Sequence, residues 1–331
     1  MPTLSLQAVP LIAIALLYGF LNGKNDAANV IAPLISTHAL PYRRAFIIAA
    51  IAEGTGPFLF GVAVAKTIGS GVIASEAITL PVIYAAMLAA ITWNTLTLRL
   101  GFPSSSSHAL VGGLIGAAWI SYGTDAILFH GVLKVVLALF LSPVLGLIAG
   151  YVLVKIIYAL AYNATPHINK WFQHGQLISA LMLGMAHGSN DSQKTMGLIT
   201  LGLAATGSLA TFYVPGWVIA VSAAAMASGT LLGGRHTIRT VGQKFYRMRP
   251  VHGFAAQTSS SVIILAAGLL GGPVSTSHVV SSALVGGGSA DRVQMIRWNV
   301  AERIVFSWFV TIPSAASAAV VMYAALRMLV R

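Results

Sequence analysis

Apolar runs recur ten times along this chain, and each is long enough, or nearly long enough, to cross a ~30 Å hydrocarbon core. Only 8% of the 331 residues are charged, whereas a soluble domain carries about 25%. The outer surface must therefore face lipid, and we predict an all-α, multi-pass membrane protein. The runs are centred near Ala15, Ile51, Ala89, Leu114, Leu147, Leu183, Ala223, Leu265, Leu284 and Ala319.

The net charge of +12 does not indicate a nucleic-acid-binding protein, because the basic residues cluster in short connectors between apolar runs. Such clusters are typical of cytoplasmic loops under the positive-inside rule. The largest cluster contains Arg235, Arg239, Lys244, Arg247 and Arg249.

Several other classes of protein are excluded or disfavoured by residue content. The chain has no cysteine, which excludes disulfides and thiolate metal sites. We find neither a nucleophile elbow nor a His-x-x-x-His metal motif, so we expect no enzymatic activity and no cofactor. Met1 to Pro10 has no basic residue ahead of its apolar run, which argues against a cleaved signal peptide.

The two halves of the chain repeat four features in the same order. These are an Asn-Asp pair inside an apolar run, a Gly-Thr pair, a hydroxyl cluster, and a closing pattern of basic residue, apolar run, hydroxyl and proline. We therefore predict a first repeat over 1–160, a linker over 161–175 and a second repeat over 176–331. The matched segments are Gly23–Asp26 with Gly188–Asp191, Gly54-Thr55 with Gly229-Thr230, Pro103–His108 with Pro273–His278, and Lys134–Pro143 with Arg303–Pro313.

Basic charge alternates between matching connectors, which predicts that the two repeats have inverted topology with about five segments each. If all ten runs cross, both termini lie outside the cytoplasm. Runs four and nine are short and polar at one end, so either could instead be a re-entrant hairpin. The first-half connectors carry Arg43 and Arg44, then Lys66 and Glu76, then Asp125; their counterparts carry no charge in 207–216, then the five basic residues above, then Arg292, Arg297 and Arg303.

Asp26 and Asp191 lie inside apolar runs, where a carboxylate is costly and usually functional. A glycine precedes each Asn-Asp pair and permits an unwound turn, after which Asn and Asp favour capping a restarted helix. We therefore predict a broken helix at each motif. The structural alternative is a salt bridge from Asp26 to Lys24 and from Asp191 to Lys194.

The two hydroxyl clusters predict the first turns of two helices, because proline and hydroxyl residues favour that position. Free N–H groups and the macrodipole at such an end attract anions, and hydroxyls add donors without fixed charge. Alternatively, the hydroxyls only cap or pack the helices. For His108 and His278, which follow the clusters, a bond to a carbonyl is the alternative to a functional role. The candidate anion ligands are Ser104, Ser105, Ser106, Ser107, Ser275, Thr276 and Ser277.

Two carboxylates alone would repel a divalent anion, and a bound cation would remove this conflict because hard cations take oxygen ligands. Protons on Asp26, Asp191 or Glu53 could serve instead, so the residues leave sodium and protons open. Glu53 has Ser228 as its counterpart, which indicates a coupling or gating role or a plain interhelical hydrogen bond. The candidate coupling-ion ligands are Asp26, Asn29, Glu53, Thr55, Asp191 and Thr230, with Asp26 and Asp191 as metal ligands if sodium is used.

These paired motifs resemble the inorganic phosphate transporter family, which includes sodium–phosphate symporters of the retroviral-receptor type. The duplicated Gly-x-Asn-Asp motif of that family is matched at Gly23–Asn29 and Gly188–Lys194. Its Pro-x-Ser-[Ser/Thr]-[Ser/Thr]-His element is matched at Pro103–His108 and Pro273–His278. The resemblance implies a dimeric inverted-repeat carrier in the cell membrane, with outward termini, that moves phosphate with sodium or protons.

The resemblance also implies residue roles. Asn25, Asp26, Asn190 and Asp191 become cation and substrate ligands, and the hydroxyl clusters become anion ligands. Sulfate permeases branch from the same family, so sulfate is the alternative anion. The sequence hypothesis is a secondary active symporter whose anion lies near the midplane between helix N-termini, with a passive anion channel as the alternative mechanism.

Overall fold

The computed structural model describes residues 5–102, 104–233, 248–296 and 298–329, and most of these residues are helical. All ten predicted run centres fall inside helices, so the all-α prediction is confirmed. Pro103, Arg297 and the basic residues between 235 and 247 lie outside the described residues. The α-helices are α1 (Ala8–Ser36), α2 (Tyr42–Leu59), α3 (Ala63–Ser70), α4 (Leu80–Arg99), α5 (Ser106–Tyr122), α6 (Phe129–Leu160), α7 (Ile168–Ala205), α8 (Gly216–Leu231), α9 (Pro250–Leu269), α10 (Thr276–Asp291) and α11 (Trp298–Leu329).

Among the described helices, α1, α4, α6 and the Ala301–Met328 part of α11 are long and apolar enough to cross a membrane. The bent pair α2 and α3 would make a fifth span. Helices α5 and α10 have 17 and 16 residues, which is short for a span of ~20 residues. Helix α7 has 38 residues and is buried without interruption from Ala186 to Leu203. It is therefore surrounded by protein, and its polar residues do not face lipid there.

Both Asn-Asp motifs lie inside unbroken helices, so the prediction of a broken helix at each motif is wrong. The glycines serve close packing instead of unwinding. A Cβ on Gly23 would lie 2.2 Å from the Met226 carbonyl oxygen, and a Cβ on Gly188 would lie 2.2 Å from the Glu53 carbonyl oxygen. The chain bends elsewhere, by 75° between α2 and α3, where Gly61 has a φ of 77°.

Helices of the two halves pack on each other in matched pairs. Helix α1 packs on α8 while α7 packs on α2, and α5 packs on α11 while α10 packs on α6. Glycines bring the axes together, since a Cβ on Gly116 or Gly150 would lie 2.3 Å from the carbonyl oxygen of Ala316 or Ala283. Each pairing has a counterpart made by the other half, as a repeat requires, and the two halves interlock rather than forming separate bodies.

The connector between the halves is shorter than the predicted linker of 161–175, because α7 already begins at Ile168. Pro166 is the only proline of this stretch, and the polar residues after it continue into α7 without a break. Phe172 in this first part of α7 packs on Phe254 of α9, with ring centroids 5.6 Å apart. This contact anchors the helix end to the second half.

We predict that Gly286→Ala destabilises the protein by about 1–3 kcal/mol, the usual cost of overpacking. The new Cβ would lie 2.0 Å from the Leu147 carbonyl oxygen, so α10 and α6 would have to separate. The measurement is the thermal unfolding midpoint in detergent at a fixed scan rate. Gly216→Ala is the control, because its Cβ would meet nothing within 4 Å. Equal midpoints for the two variants would contradict the packing argument.

Candidate functional site

Asp26 of α1 and Asp191 of α7 lie next to each other in the interior, although 165 positions separate them in the sequence. One carboxylate oxygen of each and one ring nitrogen of His187 lie within 4.8 Å of one another, and all three residues are buried. The two halves of the chain therefore contribute one acidic side chain each to a common cluster. Two carboxylates and an imidazole at this spacing could hold a metal cation.

Asp191 is held by charged and polar donors from both halves. The ammonium of Lys194 donates to Oδ1 at 2.8 Å, and the amide of Asn22 donates to Oδ2 at 2.7 Å. Nε2 of His187 lies 3.7 Å from Oδ2. The salt bridge from Asp191 to Lys194, the structural alternative, is thus present. The negative charge of Asp191 is compensated inside the protein.

Glu53 of α2 joins the cluster through His187 and Thr230. Nδ1 of His187 lies 2.8 Å from Oε1 of Glu53, and the hydroxyl of Thr230 donates to Oε2. Glu53 is fully buried, and each of its carboxylate oxygens has a hydrogen-bond partner from the second half. The predicted interhelical hydrogen bond is therefore present, and His187 links it to Asp191.

Asp26 differs from Asp191 because the donors that reach it are neutral. The amide of Asn29 lies 3.1 Å from Oδ1, and the hydroxyl of Ser277 lies 2.7 Å from the same oxygen. Lys24 is exposed and forms no ion pair with Asp26, so that structural alternative is wrong. The carboxylate charge of Asp26 has no lysine or arginine partner among the described residues.

The N-termini of α5 and α10 meet beside the aspartates. The hydroxyl of Ser107 donates to the Val274 carbonyl at 2.7 Å, directly linking the two hydroxyl clusters. The hydroxyl of Tyr18 on α1 donates to the Ser106 carbonyl at 3.1 Å. Thr276 lies 3.5 Å from Oδ2 of Asp191, so the second cluster reaches both aspartates. Ser275 is buried at the N-cap position of α10.

Three of the predicted site residues make no contact with the buried carboxylates. Ser104 accepts a hydrogen bond from the indole of Trp93 at 3.1 Å, and Ser105 caps α5 by accepting from the His108 N–H at 3.3 Å. Thr55 is exposed, and its hydroxyl donates to the Ala52 carbonyl of its own helix at 3.0 Å. The capping alternative thus holds for Ser105, and Thr55 does not accompany its counterpart Thr230.

The two asparagines of the motifs also differ in their surroundings. Asn190 is buried and donates to the Gly272 carbonyl at 3.3 Å, just before the second hydroxyl cluster. Asn25 is only half-buried.

The repeat-related His108 and His278 pack together with ring centroids 5.4 Å apart. Neither ring nitrogen of His108 has a hydrogen-bond partner among the described residues, so the carbonyl bond that was the alternative to a functional role is absent there.

Sequence reasoning missed Asn22 and His187, although the repeat contains a signal for them. Each stands directly before the glycine of its motif, at equivalent positions in two apolar runs. Both are polar, and both contact Asp191 or Glu53. A comparison of the motifs extended by one residue would have identified them.

Residues 22–319 match the phosphate transporter family over most of the chain, including both Asn-Asp motifs and both hydroxyl clusters. The chain belongs to this family. A relative from Rhizobium meliloti (strain 1021) is 43% identical over 310 residues and covers 93% of each chain. One from Bacillus subtilis (strain 168) is 38% identical and covers 99% of this chain and 100% of its own. Both are named "Probable low-affinity inorganic phosphate transporter".

A solved structure shares the fold of this family member. It is titled "The sodium-dependent phosphate transporter", has a TM-score of 0.89 and covers 98% of this chain and 100% of that one at 23% identity. The family predicted from the paired motifs is confirmed by the family match and by the two relatives. So is the prediction of a multi-pass membrane protein.

We predict that Thr230→Val destabilises the protein by about 1–3 kcal/mol, because it leaves one oxygen of the buried Glu53 without a donor. The unfolding midpoint in detergent measures this effect. Thr55→Val is the matched control, since Thr55 is the exposed repeat counterpart and bonds only within its own helix. If both substitutions lowered the midpoint equally, Thr230 would have no special part in holding Glu53.

Proposed function

We propose that this protein is a secondary active symporter that moves inorganic phosphate across the cell membrane together with sodium or protons. The observation that carries this proposal is the meeting of Asp26 and Asp191 within 4.8 Å, beside the N-termini of α5 and α10. The names of the relatives support phosphate as the anion.

The N-termini of α5 and α10 provide the anion site in this proposal. Backbone N–H groups at a helix start attract an anion through hydrogen bonding and the macrodipole. Ser277 and Thr276 point their hydroxyls at the aspartates, close to where a phosphate would have to lie. When a cation binds the carboxylates, these hydroxyls become available as donors to phosphate oxygens. Hydroxyl donors carry no fixed charge, which keeps the anion releasable.

Charge balance supplies the reason for coupling. The interior cluster contains three carboxylates, Asp26, Glu53 and Asp191, and one ammonium, Lys194. The net charge is therefore −2, or −1 if His187 is protonated. An added phosphate would be repelled strongly in this poorly solvated interior, because Coulomb energies grow as the dielectric constant falls. A cation that enters with the anion removes this cost, so each ion promotes binding of the other.

Alternating access follows from the pairing of the two halves. We propose that the repeats are inverted and that rocking of one set of helices against the other exposes the site to each side in turn. The proposal includes a homodimer with both termini outside the cytoplasm. The charge pattern of the connectors supports this orientation, because Arg43 and Arg44 follow α1 whereas 207–216 after α7 is uncharged.

We predict that Asp26→Asn and Asp191→Asn each reduce coupled phosphate uptake to about a tenth or less, a loss of at least ~1.4 kcal/mol. Asp26→Asn removes a negative charge that would hold the coupling cation, and Asp191→Asn removes the carboxylate that balances the buried Lys194 ammonium beside that site. The measurement is uptake of labelled phosphate into proteoliposomes with and without sodium and proton gradients. Asp125→Asn in an exposed connector is the control. A cooperative unfolding transition shows that the variants are folded, and normal accumulation by both site variants would refute the model.

The same assay separates the alternatives. If labelled sulfate accumulates while phosphate neither accumulates nor competes, the protein is a sulfate carrier. If phosphate never exceeds its electrochemical equilibrium under any imposed cation gradient, the protein is a passive channel. Accumulation of phosphate driven by one cation gradient is the result that we expect.

A further inference from the structure

The two motif helices carry different residues at one equivalent position. Asn29 and Lys194 each stand three residues after the aspartate of their motif. They also make the same contact, since the Asn29 amide bonds Oδ1 of Asp26 at 3.1 Å and the Lys194 ammonium bonds Oδ1 of Asp191 at 2.8 Å. One half therefore places a neutral donor where the other half places a full positive charge.

Lys194 is fully buried. Among the lysines and arginines that the structure describes, it is the only buried one. Removal of an ammonium group from water costs several kcal/mol unless an opposite charge and hydrogen bonds compensate it. Asp191 is the carboxylate that compensates it, at hydrogen-bonding distance. The Lys194 charge is thus fixed at Asp191 and does not reach solvent by extending its long side chain.

The two aspartates consequently differ in their capacity to accept another cation. Asp191 is 1% exposed and has Lys194, Asn22 and His187 around its two oxygens. Asp26 is 8% exposed, its described donors are neutral, and both of them bond Oδ1. Its partner Ser277 is half-buried, so the Asp26 side is also the more accessible side of the cluster.

We propose that Lys194 is a tethered cation that occupies, at Asp191, the position which a transported cation would otherwise fill. The exchangeable cation then binds on the Asp26 side alone. This inference rests on the proposed symport, and it states how many charges accompany each anion. A covalently attached charge neutralises Asp191 without being transported, so the protein moves one cation fewer per phosphate than a carrier with a neutral residue at 194.

The inference predicts that Lys194→Asn, which copies the first half, creates an additional sodium site at Asp191. Sodium that binds only the folded state raises the unfolding midpoint with the logarithm of its concentration, and the slope at saturating sodium is proportional to the number of sites. The experiment titrates purified protein with sodium chloride at constant ionic strength, with N-methyl-D-glucamine chloride as the replacement salt and no phosphate. We expect the fitted number of sodium sites to rise by one in Lys194→Asn and to stay at the wild-type value in Lys194→Arg.

A second measurement uses transport. The reversal potential of phosphate flux in proteoliposomes gives the charge moved per anion, and we expect Lys194→Asn to add one charge. Lys24→Asn, in the first-half motif, is the control for the loss of one lysine, because Lys24 is exposed. It should change neither the sodium count nor the reversal potential.

An unchanged sodium count in folded Lys194→Asn would overturn the proposal and leave the pair with Asp191 as a structural salt bridge. If that variant fails to fold, the double variant Asn29→Lys with Lys194→Asn moves the tether to Asp26. A folded swap with the wild-type sodium count supports the proposal, and a swap that also fails to fold overturns it. Because the titration contains no phosphate, failure of phosphate accumulation would refute the symport without altering the sodium count.

Discussion

Charged groups in the interior of a membrane protein have no water to solvate them, so each must be paired within the protein. For Glu53, Asp191 and Lys194, the core of this chain meets that requirement with a continuous series of contacts from Thr230 through Glu53, His187 and Asp191 to Lys194. These residues come from α2, α7 and α8, and Asn22 of α1 joins them. Four helices are thereby held together by polar groups that none of them could bury alone.

The close approach of helix backbones makes these contacts possible. Gly188 lets α7 lie directly against the backbone of α2 at Glu53, and Gly23 lets α1 lie against α8 at Met226. A side chain at Gly188 would separate α7 from α2 and move Glu53 away from His187, and one at Gly23 would separate α1 from α8 and move Thr230 away from the Gly23 carbonyl. The glycines of the two motifs therefore position the charged residues, although they were expected to permit unwinding.

The repeat places equivalent positions of the two halves around one site, and different residues at those positions make the two sides of the site unequal in charge. Asn22 and His187 occupy one equivalent pair of positions, and Asn29 and Lys194 occupy another. The second half thereby receives the groups that can carry positive charge, whereas the first half receives amides. The result is a cluster in which Asp191 is neutralised internally and Asp26 is left beside neutral donors and a more open approach.

The sequence by itself determined the membrane environment, the ten helical runs, the duplication, the family, and Asp26, Asp191 and the hydroxyl clusters as candidates. These follow from local hydrophobicity and from motifs that are contiguous along the chain. Only the tertiary structure decided that the helices continue through both motifs, that Thr230 enters the cluster while Thr55 does not, and that His187 joins Glu53 to Asp191. Such outcomes depend on helix rotation and on which backbones come into contact, and those are set by packing between distant segments rather than by any local pattern.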